Sequence, residues 1–126
     1  MLHVSPESLE FRALPGRDSA DPFPGLPDAE FSVRQVRLRP DGPRRPHRHP
    51  HSVEVVHVLA GTGTAWVEGE RTRVGPGDTF LVPAGAAHAT LPDPGIDLEV
   101  LCFFPRGDLG SNLEELDGPE LGSPPV

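Results

Sequence analysis

Residues 47 to 54 read HRHPHSVE, three histidines at every second position followed by a glutamate, in a chain that holds six histidines in all. Side chains alternate faces along an extended strand, so His47 and His49 project together while Arg48 projects the other way, and two imidazoles can reach one ion. His51 keeps that parity only if the strand continues, and Pro50 favours a bend or a sheet edge there. Glu54 follows His49 by five residues, an odd step that puts it on the wrong face of an unbroken strand. A turn at PHSV restores it. On spacing alone two sets stay open: His47 and His49 with Glu54, or His49 and His51 with Glu54.

Around this cluster the chain reads as short strands between tight turns. FSVRQVRLR from Phe31 is one, closed by the turn PDGP at 40 to 43, and VEVVHVLA at 53 to 60 is the next, ending at Gly61. TAWVEGERTRV at 64 to 74 predicts a hairpin turning near Glu68 to Glu70, and DTFLVP at 78 to 83 leads into the compact AGAAH. In the last strand Ile96, Leu98, Val100, Cys102 and Phe104 make one apolar face, which belongs in the core. With 17 Pro and 14 Gly in 126 residues, long helices are disfavoured, and the pattern predicts a single all-β domain, a sandwich or barrel.

Two flanks lack this texture. Residues 1 to 30 read as an N-terminal arm, because RALPGRDSADPFPGLPDAE at 12 to 30 shows neither helical nor strand period. Residues 31 to 106 hold the barrel. Residues 107 to 126 read as an acidic C-terminal tail with five carboxylates and no base, where Ser111 and Glu114 fit a capping box for one helical turn before a loose Pro-rich end.

Composition removes several functions. A net charge of −8 and a pI near 5.1 oppose binding to nucleic acid or to anionic membrane surfaces. All 11 basic residues are arginine and tyrosine is absent, so Schiff-base lysine and tyrosine acid–base chemistry are excluded. One cysteine allows no internal disulfide, the first residues show no signal-peptide pattern, and no apolar run reaches membrane-spanning length, which together predict a cytoplasmic protein.

The cluster extends into a longer pattern: Gly42, then HRH, Glu54, six residues and Gly61. Fifteen residues later GDTFLVPAGAAH places Gly77, Pro83, Gly85 and His88 at fixed offsets. These two blocks resemble the paired motifs of the cupin superfamily, G-x5-H-x-H-x3 or 4-E-x6-G and G-x5-P-x-G-x2-H-x3-N, and the chain is similar to small single-barrel bacterial cupins. Gly42 stands one residue too close to His47, and Pro92 occupies the usual Asn position, which is in the strand after the site and is not a ligand.

Over about residues 31 to 105 the resemblance implies a double-stranded β-helix, or jelly-roll, barrel whose His47, His49, Glu54 and His88 bind one divalent metal. Three neutral imidazoles and a carboxylate leave open positions on an ion that prefers five or six ligands, which suits Fe, Mn, Ni, Co or Cu, with Zn admissible. The resemblance further implies a homodimer and a small oxygenated substrate handled by dioxygenase, isomerase, cyclase or lyase chemistry, with Glu54 doubling as a catalytic base. A non-catalytic barrel that binds a small ligand or a metal is the alternative.

Other residues have plainer expected roles. His51 belongs on the surface or the pocket rim, and His57 against a second sheet or a subunit. Cys102 is an inert core thiol, and Trp66 and Phe80 are core aromatics. Arg34, Arg37, Arg39, Arg44 and Arg45 precede the site; a solvated face is the expected reading, and a guanidinium fork turned inward onto a substrate carboxylate is its rival.

Overall fold

The computed structural model describes residues 1–26, 29–41 and 44–116. Gly42, half of the turn expected at 40 to 43, and tail residues 117–126 lie outside the described residues. After a 3-10 turn at Pro6–Ser8 the strands are β1 (Arg12–Leu14), β2 (Arg17–Ala20), β3 (Ser32–Leu38), β4 (His47–Arg48), β5 (Glu54–Ala60), β6 (Gly63–Val67), β7 (Glu70–Val74), β8 (Thr79–Val82), β9 (His88–Pro92), β10 (Leu98–Phe104) and β11 (Glu114–Glu115). They form a six-stranded sheet in the order β1-β2-β3-β10-β5-β8 and a five-stranded sheet in the order β11-β4-β9-β6-β7, every pairing antiparallel. This is the expected all-β jelly roll. Among the described residues no helix is long and apolar enough to cross a membrane.

Alternation in β10 decides where the core lies. Leu98, Val100, Cys102 and Phe104 are buried and meet Val56, Val58, Ala65 and Val74 between the sheets, each large side chain there contributing about 1.5–3 kcal/mol of burial. Phe80 packs against this cluster as expected. Ile96 does not: it is 41% exposed, in the turn before β10 that its N–H closes onto Asp93 O. Trp66 has opposite parity to buried Ala65 and is half-buried on the other face of β6, outside the core. The β6–β7 hairpin turns at Glu68 and Gly69, both with positive φ, as a two-residue turn matching strand twist requires. Gly61 ends β5 at φ 85°, where a Cβ would stand 2.2 Å from the Asp97 carbonyl oxygen.

Both flanks are more ordered than their composition predicts. Residues 12–20, expected to be irregular, form the β1–β2 hairpin and extend the six-stranded sheet. The cause is local: Pro15 and Gly16 (φ 75°) supply the two central residues of a tight turn, and the unpaired edge of β3 accepts β2 in register from Arg17↔Leu38 to Ala20↔Gln35. Arg39 fastens the turn, its N–H donating to Gly16 O and its guanidinium pairing with Asp18. In the C-terminal flank the turn starts at Asp108, whose carbonyl accepts the Ser111 and Asn112 N–H groups, rather than at a Ser111 cap. Glu114 then enters β11, opposite Arg48.

Candidate metal centre

His47 sits in β4 directly opposite His88, the first residue of β9. After His49 the chain turns, Ser52 N–H reaching back to His49 O at 3.4 Å. The turn carries the backbone from the five-stranded to the six-stranded sheet, so that Glu54 opens β5 and faces the three histidines across the barrel. Gly85, at φ 77°, donates its N–H to the same His49 carbonyl at 2.9 Å and so ties the loop before His88 to the loop after His49. One ligand atom from each of His47, His49, Glu54 and His88 lies within 4.8 Å of the others; His47 is half-buried and the rest are buried. His51 is exposed and outside the group, so of the two sets left open by spacing, the structure assembles the one containing His47.

Hydrogen bonding orients the rings. His49 Nδ1 donates to Asn112 O at 2.9 Å and His88 Nδ1 donates to Ala86 O at 3.0 Å, which leaves Nε2 of each ring as the atom facing the centre. His49 Nε2 is buried without a hydrogen-bond partner; Glu54 Oε1 is 3.4 Å away but not aligned for one. His88 Nε2 and Glu54 Oε1 approach to 2.8 Å. With Nδ1 already donating, those two atoms are both acceptors unless a cation, proton or metal, stands between them. The donor set, the orphaned Nε2 and the facing acceptors all fit a metal ion.

The electrostatics agree. Burial, reinforced by the neighbouring histidines, lowers the His47 pKa from its usual 6.5 to about 3 and keeps the ring neutral, the form that ligates. Burial alone would raise the Glu54 pKa, but interaction with His49 and His88 outweighs it and brings the carboxyl to about 2. The cluster therefore sets an ionised carboxylate beside a neutral His47 ring.

Residues 34–104, which carry both motifs and all four residues of the cluster, match the family model described as the cupin domain. The chain belongs to the cupin family. This cupin is 35% identical over 91 residues to germin-like protein 3-8 of Oryza sativa subsp. japonica, a match covering 68% of the chain and 40% of the relative. It is 44% identical over 68 residues to 5-aminosalicylate 1,2-dioxygenase from Comamonas sp., covering 54% of the chain and 17% of that enzyme. It thus spans less than half the length of either relative. The polyketide cyclase RemF from Streptomyces resistomycificus shares the fold, with a TM-score of 0.76 and 21% identity over 94% of this chain and 87% of the cyclase.

Beside the cluster the cupin barrel encloses a cavity of about 410 Å³, in the lower part of the range of about 300–1,000 Å³ usual for small-molecule sites. Its floor is apolar, with Val36, Leu38, Val100 and Phe104 from the six-stranded sheet. Cys102 opens onto it, and burial followed by the nearby Glu54 charge raises the thiol pKa well above normal, so it is the inert thiol expected. The arginines expected on a solvated face divide: Arg37 pairs with Glu99 and Arg45 is exposed, whereas Arg34 and Arg44 line the cavity. His57 hydrogen-bonds Thr79 at 2.6 Å, away from the site.

Sequence reasoning missed three contributors. Arg12 and Arg17 reach the cavity from the hairpin; the Leu-Pro-Gly-Arg turn was the signal that could have found them. Asn112, 3% exposed, holds His49 through its carbonyl and the His51 N–H through Oδ1 at 2.9 Å. No pattern in the acidic flank marks it.

Proposed function

We propose that this cupin is a metal-dependent enzyme that binds a small oxygenated metabolite in the barrel, with His47, His49, Glu54 and His88 holding one divalent ion of Fe, Mn, Ni, Co, Cu or Zn. The observation that carries the reading is the 2.8 Å approach of His88 Nε2 to Glu54 Oε1 beside the unpartnered Nε2 of His49. When bound, such a metal acts as a Lewis acid toward a substrate oxygen and lowers the pKa of bound water. The protein's part is to hold the imidazoles and an ionised carboxylate in fixed directions, to exclude bulk water with an apolar floor, and to offer Glu54 as a proton acceptor within the cavity. The dioxygenase among its relatives supports an oxygenated substrate.

The test is a turnover screen of small hydroxy, keto and phenolic compounds with native protein and the Glu54→Gln variant. Turnover in the native protein, lost in a variant that retains most of its metal, is expected. Full activity in metal-free protein would sink the proposal, and binding without turnover across the screen would favour the non-catalytic receptor.

Pairing of two chains belongs to the same proposal. Val33, Phe103, Val55 and Leu81 stand side by side across four strands of the six-stranded sheet, with Phe103 40% and Leu81 58% exposed, an apolar row suited to a second copy. Light scattering should give a dimer mass that Phe103→Glu reduces to a monomer; a monomeric native protein contradicts the pairing.

A further inference from the structure

Much of the polar lining of the cavity outside the histidine cluster is cationic. β2 pairs with β3 so that Arg17 lies opposite Leu38 and Ser19 opposite Val36, and β1 sets Arg12 opposite Ser19. Directly opposed residues in an antiparallel pair point to the same face, so these arginines rise from the face on which Leu38 and Val36 floor the cavity. Arg34 and Arg44 join them there. Four guanidiniums thus line the cavity against two carboxylates, Glu54 and Glu115, in a chain of net charge −8. Arg34 is neutralised by Asp21 at 3.3 Å, but neither Arg12 nor Arg17 forms an ion pair among the described residues. Burial, and after it the neighbouring charge of Arg17, lowers the Arg44 pKa, in keeping with two cations that share one cavity wall.

From this arrangement we infer that the cupin's substrate is a carboxylate: an apolar-bodied organic acid whose carboxylate is held by Arg17, with Arg12 at the rim, while another oxygen faces the histidine cluster. Like charges crowded in a low-dielectric cleft lose stability unless an anion joins them, and a planar guanidinium matches a carboxylate in two parallel hydrogen bonds. The apolar floor of Val36, Leu38, Val100 and Phe104 suits a hydrocarbon body. This inference names the substrate class of the site proposed above and rests on that reading for the role of the second oxygen only.

The test compares benzoate with benzamide, of the same shape but uncharged, by calorimetric titration of the as-purified full chain, with metal content measured on each sample. Native protein is expected to prefer benzoate by at least about tenfold, the value of one charged hydrogen-bonding contact, and to lose affinity as salt rises. Arg17→Gln should abolish the preference at unchanged metal content, and Arg17→Lys should restore only part of it. Arg12→Gln, at the exposed rim, should show a smaller fall and provides the test if the Arg17 variant does not fold. Equal binding of the two probes, no binding of benzoate, or a preference untouched by both substitutions overturns the inference. Charge preference without bound metal would uphold the anion site and sink the metal reading; metal without charge preference would do the reverse.

Discussion

The two sets of polar side chains that line the cavity, the histidine cluster and the arginines, are built from different kinds of information. In the histidine cluster, four side chains able to ligate a metal come from two compact motifs, and strand alternation plus one turn brings them together. Among the arginines, Arg12 and Arg17 arrive on a hairpin whose place is decided by long-range pairing with β3. Two buried imidazoles and a half-buried one around a buried carboxylate are an arrangement that suits a cation. An arginine, by contrast, looks the same in sequence whether solvated or turned into a cavity. Chemistry concentrated in rare residues is thus easier to recognise than chemistry carried by common ones.

The largest effect that would sharpen this contrast is His88→Ala. Loss of residues merely supporting metal ligands costs about 10–100-fold in affinity, so removal of a ligand should exceed about 100-fold in a competition titration with a chelating dye, whereas Arg17→Gln should leave metal affinity within a few-fold. Comparable losses in both would mean that the arginines and the histidine cluster do not act separately.

Acid stability comes next. His47, at about 3 in the folded chain against its usual 6.5, refuses a proton that the unfolded chain accepts, so metal-free protein loses stability as pH falls from about 6.5 toward 3, with a limiting slope of about 1.4 kcal/mol per pH unit for one proton. Glu54, at about 2 against 4.5, acts with the same sign: its contribution is complete above about 4.5 and is lost as pH falls toward 2. Urea titrations of chelator-treated protein across that range should show the fall, with His47→Gln flattening the part above about 4.5. A pH-independent midpoint would contradict the placement of both groups.

A smaller effect is expected from Asn112→Ala. The His51 N–H loses its acceptor, a cost of about 1–3 kcal/mol, and the carbonyl that holds His49 Nδ1 is freed to move. Chemical denaturation should register the first and faster metal release the second; an unchanged release rate would show that the C-terminal segment covers the site without positioning it.

The β-strands from 31 to 104 were legible because glycine turns and period-two alternation punctuate them, and Glu54 was recoverable because its odd spacing demanded the turn now seen at 49 to 52. The hairpin at 12 to 20 was not: RALPGRDSA has too few β-branched or aromatic residues to signal strands, and they form because β3 offers an open edge. Trp66 was misplaced for a related reason, since a strand's parity reveals which residues share a face but not which face is buried. Asn112 was invisible because a lone amide in an acidic segment gives no period at all.

The most direct test of the account is elemental analysis of untagged protein beside a His47→Ala/His88→Ala double variant. About one equivalent of iron, manganese, nickel, cobalt, copper or zinc per chain is expected, absent from a variant that still shows the native β-sheet spectrum. Metal-free native protein that gains neither metal nor thermal stability on reconstitution would contradict it.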